Sequence, residues 1–79
     1  MTVKSVKQPQ LGKLLRELRL ENELTQEQFA AVLGVTYSTV NRWENGRSQP
    51  LPLARQRILQ VLEQMGDSGK ELLAKYLAN

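Results

Sequence analysis

Apolar residues recur along this chain with the spacing of helices rather than strands. Between residues 11 and 22, leucines fall at i, i+3, i+4 and i+7, which places them on one face of a helix. Comparable stripes follow at 25–33, 36–45, 52–65 and 68–77. No segment shows the strict alternation of a strand. The pattern therefore predicts an all-α fold, a compact bundle of five helices.

The stretch 25–46 carries the clearest signals for helix starts and ends. Thr25 and Gln28 have capping-box spacing, and Gly34 stands where a left-handed residue ends a helix. Thr36 is the expected N-cap of the following helix. Two short helices joined by a tight glycine-containing turn are typical of helix-turn-helix geometry. We therefore expect the remaining helices to pack around residues 25–46 and support them.

The sequence before and after residues 25–46 predicts an arm and two closing helices. Residues 1–10 lack apolar periodicity and contain a proline, so we expect a flexible N-terminal arm followed by one domain at 11–79. The fourth helix is expected to begin at Pro50 or Pro52, since proline is favoured in the first turn.

The fifth helix is expected to open at a second capping box, formed by Ser68 and Glu71. Its apolar stripe has two possible uses: it packs into the domain's own core, or it forms a dimer surface with the end of the fourth helix. The residues of this stripe are Leu72, Leu73, Tyr76 and Leu77.

Helical phase divides the third helix into an inner and an outer side. Val40 and Trp43 share one direction, so both are predicted to be buried. Tyr37 lies on the flank. Small polar groups and one arginine point outward, about 100° to 200° from the buried direction. These outward residues are Ser38, Asn41 and Arg42.

An outer face of this kind suits the major groove of DNA, which accepts one helix and offers hydrogen-bonding base edges. Arg42 can bond guanine through two atoms, Asn41 can pair with adenine, and Ser38 can bond several edges. Any surface helix carries polar residues outward, so the set by itself also fits a solvated face. Trp43 is interpreted as a core residue rather than a base-stacking platform because of its phase.

Glu44 lies on the inward flank of the same helix. A carboxylate there needs a cation, since burying an unpaired charge is costly. Arg19, near the end of the first helix, is the candidate partner.

Composition narrows the function further. The 79 residues suffice for one small domain. The chain has no cysteine and no histidine, so disulfides, the usual zinc sites and the commonest general base are absent. We therefore expect no cofactor and no enzymatic activity, and Ser38 as a nucleophile has no visible base. The net charge of +3 permits a nucleic-acid partner without requiring one.

Hydropathy predicts the location. No apolar run of about 18 residues exists that could span a membrane, and the N-terminus lacks the apolar region of a signal peptide. The expected location is the cytoplasm, on the nucleoid when DNA is bound.

Three motifs stand out in the first two thirds of the chain: L-R-x-L-R-L-E-N-x-L-T-Q-E-Q-F-A at 15–30, L-G-V at 33–35 and V-N-R-W-E-N-G-R-S-Q-P at 40–50. Together they resemble the Cro/C1 (XRE-type) helix-turn-helix domain of phage repressors and bacterial regulators. The resemblance implies a lambda-repressor-like fold. It also implies sequence-specific binding to double-stranded DNA by a transcriptional regulator, with repression the expected mode.

The resemblance further implies roles at matching positions. A reading set, at or beside the bases, comprises Thr36, Tyr37, Ser38, Asn41 and Arg42. A phosphate set, on the DNA backbone, comprises Gln26, Asn45, Arg47 and Ser48. Arg19 and Glu44 match a family ion pair between the first and third helices. Tyr37 and Ser38 stand where well-studied repressors carry glutamines, so the operator sequence does not transfer.

So small a reading surface predicts weak binding by one copy. The usual remedy is a homodimer on a pseudo-palindromic operator, with half-sites roughly 34 Å apart. A different class of function also remains open. In that alternative, the chain is an antitoxin-type interaction module that neutralises a toxin protein and also binds its own promoter.

Overall fold

A computed structural model describes residues 3–77, apart from the side chain of Lys4. Within these residues a short 3-10 turn, Val3–Ser5, precedes five α-helices, and no strand occurs. The helices are α1 (Gln10–Glu21), α2 (Gln26–Leu33), α3 (Tyr37–Glu44), α4 (Pro52–Gln64) and α5 (Asp67–Leu77). The predicted all-α, five-helix class is therefore confirmed.

The turn between α2 and α3 is built from the predicted local signals. The Thr25 hydroxyl accepts a hydrogen bond from the Gln28 backbone N–H at 3.1 Å, and the Gln28 side chain accepts one from the Thr25 N–H at 2.9 Å. Gly34 ends α2 with φ of 71°, a conformation that costs glycine little. The Thr36 hydroxyl then caps α3 by accepting from the Thr39 N–H at 3.2 Å.

One hydrophobic core joins all five helices. Helix α1 lies at its centre and packs against α3 and α5, while α2 packs on α3 and α4 packs on α5. The four leucines of the α1 stripe have no exposed surface: Leu11, Leu14, Leu15 and Leu18. The buried face of α1 therefore forms the apolar surface against which α3 and α5 pack.

The segment predicted to be a flexible arm is instead packed on the domain over residues 3–10. Val3 and Val6 are each only 1% exposed. The Arg55 guanidinium on α4 donates to the carbonyls of Val3 at 2.9 Å and Val6 at 3.4 Å. The expectation was wrong because two valines are too few to show a periodicity. Residues 1–2 of the predicted arm and 78–79 of the predicted domain lie outside the described residues.

The two closing helices differ from expectation in one detail. Pro52 is the first residue of α4, one of the two predicted starts. Helix α5 begins at Asp67, so Ser68 lies inside its first turn and is not the predicted N-cap. The Ser68 hydroxyl donates back to the Met65 carbonyl at 3.1 Å instead of forming a box with Glu71.

Candidate nucleic-acid interface

Helix α3 has one buried and one exposed side, as its phase predicts. Val40 has no exposed surface and Trp43 has 4%. Ser38 and Arg42 are exposed on the opposite side, with Asn41 half-buried between them. The exposed side therefore carries hydrogen-bonding groups without an apolar residue among them.

An ion pair fixes α3 to α1. Arg19 Nε lies 2.8 Å from Glu44 Oε2, and Arg19 Nη2 lies 3.0 Å from Glu44 Oε1. The two side chains are 11% and 3% exposed. Hydrogen bonding to Glu44 raises the pKa of Arg19 above its ordinary value. The pair predicted from phase and from the family motif is thus present, in the two-pronged geometry that guanidinium and carboxylate groups favour.

Gln26, at the first position of α2, extends this network. Its side-chain Nε2 donates to Glu44 Oε1 at 3.1 Å, so one carboxylate oxygen accepts from both Arg19 and Gln26. Gln26 and Tyr37 line the same shallow surface depression, which brings one member of the phosphate set beside one member of the reading set. The first-turn N–H groups of a helix favour an anion at such a position.

Asn41 is the one member of the reading set whose side chain is tied to the phosphate set. Asn45 Nδ2 donates to Asn41 Oδ1 at 2.6 Å and to the Asn41 carbonyl at 2.9 Å. The Asn41 amide nitrogen and a second lone pair on Oδ1 remain for a base edge. The contact orients the amide before any ligand arrives.

Thr36, like Asn41, has its side chain hydrogen-bonded inside the protein. Besides capping α3, the Thr36 hydroxyl lies 2.9 Å from the Thr39 hydroxyl. Tyr37, by contrast, is 48% exposed at the start of α3. A ligand could therefore reach the Tyr37 side chain, whereas the Thr36 hydroxyl is already hydrogen-bonded within α3.

The basic residues around α3 fall into two groups that sequence alone does not separate. Arg42 and Arg47 are exposed, and neither side chain has a hydrogen-bonding or ionic partner among the described residues. Arg55 and Arg57 serve the fold: Arg57 Nη1 donates to the Leu33 carbonyl at the end of α2, at 2.9 Å. Arg42 and Arg47 therefore have their whole guanidinium groups available to an anionic ligand, whereas Arg55 and Arg57 use part of theirs to hold backbone carbonyls.

A helix-turn-helix family model matches residues 15–66, more than half of the chain. The chain belongs to the Cro/C1 (XRE-type) helix-turn-helix family. Members of this family are DNA-binding regulators. The matched residues of this helix-turn-helix protein comprise the second half of α1 and all of α2, α3 and α4.

A curated protein also resembles this helix-turn-helix protein over part of its length. A stretch of 38 residues is 40% identical to Antitoxin PezA of Streptococcus pneumoniae serotype 4. The stretch covers 48% of this chain but 24% of the antitoxin. No solved structure matches the chain.

Two features are absent from the described part of this helix-turn-helix protein. Within residues 3–77 no helix is both long and apolar enough to cross a membrane. The same residues contain no cluster of three or more acidic side chains placed to hold a metal ion.

Sequence reasoning missed one residue that the structure places beside this surface. Gln8 lies in the predicted arm, yet its amide contacts the end of α3 and the loop after it. Gln8 lies two residues before the start of α1, and its Oε1 accepts a hydrogen bond from the Gly12 N–H in the first turn. A polar side chain just before a helix was the one feature of the sequence that could have pointed to Gln8.

Proposed function

We propose that this protein is a transcriptional regulator that binds specific double-stranded DNA by placing α3 in the major groove. The exposed polar face of α3, opposite a side locked in the core, carries the proposal. A groove reader needs hydrogen-bonding side chains at fixed positions. Burial of Val40 and Trp43 and the Arg19–Glu44 pair supply that fixity.

In this proposal Arg42 contacts a guanine edge and Asn41 contacts adenine or a neighbouring base. Ser38 forms a hydrogen bond with the edge of either kind of base. Tyr37 and Thr36 flank these contacts at the start of α3. The phosphate set holds the DNA backbone from both sides of the groove. Its members are Gln26 at the start of α2, and Asn45, Arg47 and Ser48 after α3.

We further propose that two copies act together on a pseudo-palindromic operator and repress transcription by occupying it. Three of the four residues in the apolar stripe of α5, Leu72, Leu73 and Tyr76, are at most 7% exposed, which favours a role in the core over a contact between copies. Leu51 and Leu53 remain 75% and 62% exposed, close in sequence to the loop after α3. They are the apolar side chains with which a second copy would make contact.

Selection of bound sequences from a random DNA pool, at a stated salt concentration, tests the proposal. We expect an enriched motif with two inverted half-sites roughly 34 Å apart, one helical turn. Binding to the enriched sequence should weaken steeply with salt. A selection that enriches no sequence would contradict specific DNA reading by α3.

A second function, antitoxin activity, is favoured by the match to Antitoxin PezA. On this hypothesis the chain binds a toxin protein as well as its own promoter. Co-purification from the native host should then yield a partner that arrests growth when it is expressed alone. A chain that purifies as a homodimer, with no such partner, would favour the free-standing regulator.

A further inference from the structure

We infer that Gln8 is a positioning residue for DNA binding, acting through the loop that follows α3. This loop, residues 45–49, carries three of the four members of the phosphate set. The inference rests on the proposed function. It assigns to a residue outside the family-matched segment a share in the contact with the DNA backbone.

The side-chain amide of Gln8 joins three separate parts of the backbone. Nε2 donates to the carbonyl of Trp43, in the last turn of α3, at 3.0 Å. The same nitrogen donates to the carbonyl of Ser48, in the loop, at 2.7 Å. Oε1 accepts from the Gly12 N–H, in the first turn of α1, at 2.8 Å. Every hydrogen-bonding direction of the donor nitrogen is thus directed at the α3–loop junction.

Gln8 itself is held in place, so it can act as a fixed point. The segment before it is anchored by the buried side chains of Val3 and Val6 and by Arg55. Gly12 lets α1 approach the end of α3 closely: a Cβ at this position would lie 2.5 Å from the Trp43 carbonyl oxygen. This close approach brings the Gln8 amide within reach of both carbonyls.

The loop has few other restraints between Arg47 and Gln49. Its first three residues are held by backbone hydrogen bonds to α3, the last of which runs from the Arg47 N–H to the Arg42 carbonyl at 2.9 Å. Its end is fixed by Arg55, which donates to the Gln49 side chain at 3.1 Å and to the Pro50 carbonyl at 3.0 Å. The bond from Gln8 to Ser48 lies between these two, beside the unpartnered Arg47 guanidinium. Its loss would free the part of the loop that faces an anion.

The two halves of the amide perform separable tasks. The oxygen caps α1, which concerns stability. The nitrogen clamps the loop, which concerns the geometry of phosphate contacts. Because phosphate contacts set register and carry no sequence information, loosening the loop should weaken binding to all DNA sequences alike.

Gln8→Glu and Gln8→Met separate these tasks. A carboxylate still accepts from the Gly12 N–H but cannot donate to either carbonyl, whereas methionine keeps the shape and loses all three bonds. Gln10→Glu is the matched control for charge, because it adds the same charge two residues away. The Gln10 side chain has no hydrogen-bonding partner among the described residues. Backbone ¹⁵N order parameters of free protein and DNA affinity against salt are measured for each.

Both Gln8 variants should lower the order parameters of Arg47 and Ser48 while those of α2 stay unchanged. Affinity should fall about two- to tenfold beyond any loss in Gln10→Glu, equally for selected and scrambled DNA. If the loop of the Gln8→Glu variant has the same order parameters as the loop of the wild-type protein, the inference is overturned, since Gln8 would then act only as a cap of α1. A loosened loop with control-level affinity would overturn it too. Wild-type protein that binds no DNA would refute the proposed function, while the loop measurement would still report the clamp.

Discussion

Arg19 and Glu44 form a two-pronged ion pair that joins α1 to the end of α3, with the carboxylate 3% exposed. Glu44 is also the acceptor for Gln26 at the start of α2. One carboxylate therefore sets the positions of three helices relative to each other. The orientation of the proposed reading face and of the proposed phosphate anchor depends on the same group.

Replacing Arg19 should show how much this network contributes to the stability of the fold. Arg19→Met leaves a buried carboxylate with one amide donor, so we expect a loss of about 3 kcal/mol in the free energy of unfolding. Arg19→Met combined with Glu44→Leu should lose less, because no unpaired charge remains. Urea unfolding followed by Trp43 fluorescence measures both. If Arg19→Met is as stable as the double variant or more stable, the proposed contribution of this network to stability is contradicted.

Arg42→Ala should reduce discrimination rather than binding in general. A good two-pronged contact to guanine contributes about 1–3 kcal/mol of discrimination, and that contribution should disappear at one base pair of each half-site. Arg16→Ala is the matched control, since it removes an equal charge from an exposed position on α1. Competition binding with single-base operator variants measures the effect. An unchanged ranking of bases in Arg42→Ala would show that another residue reads this position.

Gln26→Ala should weaken binding to all sequences by a similar factor. A hydrogen bond to a charged group contributes about 1.5–3 kcal/mol, and phosphate is present whatever the base sequence. Binding to selected and scrambled DNA measures the factor, with Gln60→Ala on the exposed side of α4 as control. Because Gln26 also contacts Glu44, the unfolding free energy of the variant should be measured separately. A changed base preference would argue against a phosphate contact.

Gly12→Ala should destabilise the protein although alanine favours helices. The added Cβ would lie 2.5 Å from the Trp43 carbonyl oxygen and 2.9 Å from that of Glu44, and both atoms are backbone. The helices must separate, at a cost of about 1–3 kcal/mol for overpacking. Thermal unfolding measures the loss, and Lys13→Ala, at an exposed neighbour on α1, should change little. Equal stability of the two variants would mean that α1 and α3 can slide apart freely.

Stability at alkaline pH should depend on Tyr76. Burial, followed by hydrogen bonding to Glu17, raises its pKa to about 12, against 10.0 for an ordinary tyrosine. Because the folded pKa is the higher one, the contribution of the neutral phenol is complete below about pH 10 and is lost as the pH rises towards 12. Tyr76→Phe should therefore lose less stability than wild type over this range. Parallel losses in unfolding experiments at pH 9 to 11 would contradict the shift.

The sequence by itself determined the helices and the two sides of α3. A cap such as Thr25 acts within one turn, and Gly34 acts through its own φ, so both can be recognised without knowing the fold. The burial of Val40 and Trp43 follows from the 3.6-residue period in the same way. The helical phase of Glu44 also led to the prediction of an ion pair with Arg19, because a buried carboxylate requires a cation.

Tertiary structure decided how distant segments use their polar groups. Gln8 and Ser48 are 40 residues apart in the chain, and no local pattern predicts that one donates to the other. Arg55 carries the same charge as Arg47, yet α4 turns Arg55 towards backbone carbonyls while Arg47 stays exposed. Periodicity shows which side of a helix is buried, but the partner on that side depends on how the helices cross. That crossing is set by the packing of the whole core.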